Sequence, residues 1–189
     1  MTFLIKKMRT LTVGLAAVVT LSLAGTAAAS GTTPIKHSSA SSVASTPKCA
    51  LSGLVIWLDT HEGGTAGSTY YFVEFTNLSG HSCTLSGYPG VTGINIAGQQ
   101  LGSTGAPDSS AKAGVVLIAN GARASGALRI TDVDNFVPSA CNKTMAGGLR
   151  VYLPGGTGFR VIPFPFEACS RTGPVYLHML AVQHPNSLG

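Results

Sequence analysis

The stretch Leu149-Arg150-Val151-Tyr152-Leu153-Pro154-Gly155-Gly156-Thr157-Gly158-Phe159-Arg160-Val161-Ile162-Pro163-Phe164 sets two short apolar runs on either side of a Pro-Gly-Gly signal. Each run has the length and the β-branched, aromatic and aliphatic character of a strand, and the residues between them supply the reversal. The stretch therefore predicts a β-hairpin turning about Gly155. Cys141 and Cys169 lie equally far from Gly155 along the chain, so the same register predicts a disulfide across the hairpin's open end. It also sets Arg150 opposite Arg160. A like-charged pair there is costly unless an acid lies nearby or the face meets an anionic surface, which makes both arginines candidate surface-binding residues.

Residues 54–58 and 70–75 repeat the pattern, with the turn among Gly63-Gly64-Thr65-Ala66-Gly67. Alternation puts Tyr71, Val73 and Phe75 on one face and Glu74 on the other. Cys49 and Cys83 are equidistant from Ala66, which predicts a second bridge of the same kind. Four Cys allow three connectivities; the two registers select Cys49 with Cys83 and Cys141 with Cys169. Loops of 35 and 29 residues imply about 3.5 to 4 kcal/mol per bridge in the chain-entropy picture, comparable with a small domain's whole stability.

Further strand candidates are residues 91–96, 115–119, 122–131, 149–153, 159–164 and 175–182. No window keeps helical spacing long enough for a helix. About eight short strands with frequent turn residues predict an all-β fold, an antiparallel immunoglobulin-like β-sandwich, with a barrel as the alternative. Residues 98–112 are rich in Gly, Ser and Pro without hydrophobic period and read as an exposed loop.

The N-terminus reads differently. Lys6, Lys7 and Arg9 precede an apolar stretch over 11–23 that ends in Thr26-Ala27-Ala28-Ala29-Ser30, the order of a secretory signal peptide over residues 1–29. About 13 mainly apolar residues fall short of the roughly 20 that cross hydrocarbon. Cleavage after Ala29 would turn a formal charge of +5 into +2, so most of the basic balance belongs to the export signal. Residues 30–48 are Ser, Thr, Ala and Pro with little to bury and read as a flexible linker. That leaves residues 49–189 as the folded domain, and a secreted protein, extracellular or associated with the cell envelope, with no membrane insertion after signal cleavage.

Gly67-Ser68-Thr69-Tyr70-Tyr71, Phe75-Thr76-Asn77-Leu78-Ser79-Gly80 and Cys83-Thr84-Leu85-Ser86-Gly87-Tyr88-Pro89-Gly90-Val91, with weaker echoes around Asn120-Gly121-Ala122, Cys141 and 149–155, give the chain its family likeness. It resembles the domain-of-unknown-function family 4232, found in exported proteins of actinobacteria. The resemblance implies export and a four-Cys β domain behind a low-complexity leader, and no established activity. Physically, Gly87-Tyr88-Pro89-Gly90 reads as a corner between strands, with Gly90 free to take a positive φ, Tyr88 laid on the sheet edge and the bond before Pro89 open to either isomer. Tyr88 joins the arginines as a candidate contact residue.

Catalytic signals are thin. Asp59, His61 and Glu62 cluster at what reads as a solvated hairpin tip, where a carboxylate beside an imidazole can move a proton. His178 alternates with apolar neighbours, consistent with a solvent-facing or a hydrogen-bonded role. The closest two Cys are too far apart for zinc-ribbon spacing, and nucleotide loops and a nucleophile elbow are missing. The remaining arginines are spread singly, unlike a nucleic-acid stripe. The sequence thus predicts a non-catalytic module that binds an envelope polymer or another exported protein, with no cofactor and no nucleic acid. Its alternatives are a secreted hydrolase, or a secreted protease inhibitor presenting residues 141–147.

Overall fold

A computed structural model of the chain describes residues 45–185. The signal peptide expected at 1–29 and most of the linker expected at 30–48 lie outside the described residues.

Eleven strands are described: β1 (Leu54–Thr65), β2 (Ser68–Asn77), β3 (Cys83–Ser86), β4 (Gly90–Ile94), β5 (Gln100–Leu101), β6 (Ala106–Asp108), β7 (Val115–Ile118), β8 (Arg123–Thr131), β9 (Lys143–Tyr152), β10 (Phe159–Cys169) and β11 (Leu177–Leu180), with one helical turn, α1 (Pro138–Cys141). All eight expected runs are strands. A five-stranded sheet runs β1-β2-β8-β11-β6, a four-stranded sheet β10-β9-β4-β5, and β3 and β7 form a separate ribbon. Among these strands pairing is antiparallel except β6 with β11, which is parallel. Period-two alternation turns Val73, Phe75, Leu128, Leu177 and Met179 of one sheet and Val91, Leu149, Val151 and Ile162 of the other into one shared core.

The stretch expected to be an exposed loop is the main departure. Residues 98–112 contain β5 and β6, and β6 extends the larger sheet beyond β11. Two of its three glycines are there for packing. A Cβ on Gly105 would stand 2.6 Å from Val91 Cγ1, and one on Gly102 2.6 Å from the Cys169 carbonyl. Small residues let this segment press against the core, so it lacks the apolar side chains that would have marked it as a strand.

Both disulfides form as expected, Cys49–Cys83 and Cys141–Cys169, with Cα separations of 4.9 and 4.5 Å. The geometry that brings them together is not quite the expected one. In the later hairpin Arg150 pairs with Val161 and Arg160 with Val151, one residue out of the register centred on Gly155. A bulge then sets Phe164 and Pro165 of β10 against Gly147 alone, which spares the ladder a missing Pro165 donor. The strands end at Lys143 opposite Cys169. Cys141 reaches its partner from α1, after Asn142 turns the chain with φ 49°. Cys83 is likewise off the first hairpin, on β3. Cys49 lies alongside it in a parallel segment, where Thr84 N–H donates to Pro47 O and Cys49 N–H donates to Thr84 O, both at 2.9 Å.

At the Tyr88 corner, Gly87 rather than Gly90 takes the positive φ, 109°, and no peptide bond among the described residues is cis. Gly90 instead begins β4 opposite Tyr152.

Candidate functional site

The offset register separates the two arginines proposed to share a face. Paired residues point to one side, so Arg150 lies with Val161 and Arg160 with Val151, on opposite faces of the hairpin. No repulsive pair forms, and the reason for expecting an anionic surface there falls away. Arg150 is half-buried; its guanidinium carbon sits 4.6 Å from the Phe159 ring centroid, and Nη2 donates to Gly98 O at 2.7 Å. Arg160 donates to Leu51 O at 3.1 Å. Tyr88 donates its hydroxyl to Ala111 O at 3.0 Å, bracing the segment that follows β6, and lines a pocket of about 580 Å³ beside Cys49. Each of the three has a structural partner.

The Asp59 group sits at a bulge midway along β1, not at the hairpin tip, which is Ala66-Gly67. Asp59 accepts from His61 N–H at 3.0 Å and faces His61 Nδ1 at 2.6 Å. Those two bonds, the backbone one first, hold its carboxyl below the usual carboxylate range. His61 is otherwise in solvent. Glu62 belongs to β1, and its side chain lies outside the described ones. His178 lies half-buried on the outer face of the larger sheet, paired with Arg129, and burial followed by that guanidinium lowers its imidazole pKa. On the same face Glu74 is buried, accepting from Ser125 Oγ at 2.7 Å with Arg123 Nε 3.4 Å away. Of the 141–147 segment considered as an inhibitor loop, Cys141 ends α1 and residues 143–146 pair with β10.

A different place gathers chemistry. Between the end of the β1–β2 hairpin, the end of β8 and the β10 bulge lies a groove of about 510 Å³. Its wall is aromatic: Tyr71 meets Phe164 edge-on at 5.0 Å, and Phe164 stacks on Phe166 at 5.8 Å. Phe166 in turn packs on the buried Tyr176 at 6.3 Å, so the wall is anchored in the core. Its rim is acidic. Asp132 caps a short 3-10 turn by accepting from Asp134 N–H at 2.9 Å, and that turn aims Asp134 toward β10, where Glu167 stands. One carboxylate oxygen from each of Asp132, Asp134 and Glu167 falls within a 4.8 Å group.

Lys143 partly neutralises this cluster, with Nζ 2.9 Å from Asp134 Oδ2 and 2.9 Å from Glu167 Oε2. Those bonds, Glu167's first, raise the ammonium's pKa well above its ordinary value. An ammonium already bridges two of the three carboxylates, so the donors fit a cation-exchanging rim better than a metal centre. Three carboxylates against one ammonium still leave the rim negative.

Sequence reasoning missed this groove because its parts come from residues 64–71, 130–134 and 164–167, and only strand pairing brings them together. Asp132-Val133-Asp134, with its capping spacing, and the proline-interrupted run Pro163-Phe164-Pro165-Phe166-Glu167 were its visible traces.

No curated protein and no solved structure matches the chain. Residues 49–183, a span that holds both disulfides, every described strand and the whole groove, match the family described as Domain of unknown function (DUF4232), and the chain belongs to that family.

Proposed function

We propose that this protein is an exported, non-catalytic binding module acting at or outside the cell envelope, and that its groove receives lysine or arginine side chains of another exported protein. The signal-like order of residues 1–29 and the two disulfides support export. The observation that carries the binding reading is the anchored aromatic wall beside a rim of three carboxylates and one ammonium. A cation can lie against an aromatic face and an acid at once, and no anion gains from that arrangement. An exposed cation–ring contact contributes about 0.5 to 1 kcal/mol and an exposed ion pair no more than about 1. A single cation would bind weakly, so the fitting ligand is an extended segment with several basic residues.

Calorimetric titration of the oxidised protein with a Lys/Arg-rich peptide and with its Asp/Glu counterpart tests this reading. Binding should be confined to the basic peptide, weaken as salt rises, and fall in Phe164→Ala, Asp134→Asn and Glu167→Gln. Equal binding of the acidic peptide, or wild-type affinity in all three variants, would refute it.

A further inference from the structure

The edges of the sheets are protected unequally. β10 carries Pro163 and Pro165, β6 is three residues long with Pro107 at its centre, β5 has two residues, and β1 is broken by its bulge at Asp59. These are the usual means by which an exposed edge avoids pairing with another chain. The free side of β3 is partly covered by the Pro47–Cys49 segment. β7 has no such device. Its sequence is Val115-Val116-Leu117-Ile118, it pairs only with β3 among the described residues, and Val115 and Leu117 are 73% and 53% exposed.

Backbone bonding fixes which groups of β7 are open. Thr84 gives both its N–H and its C=O to the Cys49 side of β3. Its cross-strand neighbour Leu117 is therefore in a pair without mutual hydrogen bonds and turns its own N–H and C=O outward, as does Val115 two residues earlier. Outward groups at 115 and 117 can be satisfied by an identical strand running the other way, with Val115 opposite the partner's Leu117 and Leu117 opposite the partner's Val115. The four exposed aliphatic side chains then meet on one face. Residues 113–122 contain no charged side chain, so no like charges meet across the axis.

We propose that β7 pairs with β7 of a second copy of this chain about a two-fold axis at Val116, joining two β3–β7 ribbons into one four-stranded sheet. Such an interface is self-complementary and closed. With four residues per strand it is small, so the dimer dissociates on dilution.

Sedimentation of the full oxidised chain over a wide concentration range tests the proposal, with amide exchange measured in parallel. The wild type should pass from monomer to dimer, and the Leu117 N–H should exchange more slowly as concentration rises. Val115→Lys and Leu117→Lys should each raise the dissociation constant at least tenfold, while Glu167→Gln in the groove leaves it unchanged. A wild type that stays monomeric throughout, a dimer indifferent to both lysine variants, or a Leu117 amide whose exchange ignores concentration would each overturn it.

Discussion

Asn77 donates its side-chain amide to Ile118 O at 2.9 Å and to His81 O at 2.8 Å, tying the end of β2 to β7 from a fully buried position. Its Oδ1 accepts from Ser79 N–H at 3.0 Å, so both ends of the amide are engaged. Removing such a group takes a partner from the buried Ile118 carbonyl and leaves unfilled space around a fully buried position, and a buried polar group left unsatisfied costs about 1 to 3 kcal/mol. Asn77→Ala should lower the urea midpoint by an amount corresponding to about 2 to 4 kcal/mol with little change in slope. Asn77→Asp should lose more, because a carboxylate would face two carbonyls with no proton to offer. A loss below about 0.5 kcal/mol, the size of an ordinary surface substitution, would show that Asn77 is not the tie described.

The two kinds of glycine in residues 98–112 should separate on substitution. Gly98 has φ 77° and nothing within 4 Å of an added Cβ, whereas Gly102 has φ 64° and the Cys169 carbonyl at 2.6 Å. Gly98→Ala carries only the backbone strain of a left-handed residue, about 1 kcal/mol. Gly102→Ala adds a clash with main chain that cannot rotate away, and should lose clearly more, about 3 kcal/mol or above. Thermal melting of the two variants under one buffer condition checks the order; equal losses would contradict the packed placement of β5.

That contrast also shows what could be read without coordinates. The β-rich runs around 149–164 and 54–75 declared themselves because their side chains supply the core, and both cysteine pairings were read correctly although Cys49, Cys83 and Cys141 lie beyond the hairpin ladders that suggested them. The slip itself was not legible. It comes from the turn between Leu153 and Phe159, before the bulge at Phe164-Pro165 is reached, and it moved Arg150 and Arg160 to opposite faces. Residues 98–112 misled for a related reason, since glycine records the closeness of its neighbours and carries no hydrophobic pattern of its own. The groove depends on contacts among segments about 30 to 100 residues apart in the chain, a separation over which composition and period say nothing.

The two disulfides should matter to different parts of the fold. Their spans of 34 and 28 residues imply similar chain-entropy contributions, about 3.5 to 4 kcal/mol each. The first, however, ties the Cys49 segment to the small β3–β7 ribbon, while the second closes the β9–β10 hairpin of a main sheet. Paired Cys49→Ala/Cys83→Ala replacement should lower stability and expose the chain near Ser45 and the β3 edge to protease. Paired Cys141→Ala/Cys169→Ala replacement should lower stability comparably and loosen amide protection along β9 and β10. Protection lost uniformly in both variants would argue against this division.

Tyr176 gives the protein an alkaline limit. Its ring is fully buried, the hydroxyl donates to Leu101 O at 2.9 Å, and burial pushes its pKa up to about 12 from an ordinary value near 10. Between those values the unfolded chain releases the phenolic proton and the folded chain keeps it. The folded state then binds more protons, so stability falls as pH rises. The contribution is fully present below pH of about 10 and disappears as pH approaches about 12, a loss on the order of 2 to 3 kcal/mol. Denaturant midpoints measured across this range should fall more steeply for the wild type than for Tyr176→Phe, which starts lower by about 1 kcal/mol for the lost hydrogen bond but lacks the titrating group. Parallel curves for the two proteins would mean that Tyr176 ionises as readily folded as unfolded, and that the ring chain from groove to core does not end in a sealed interior.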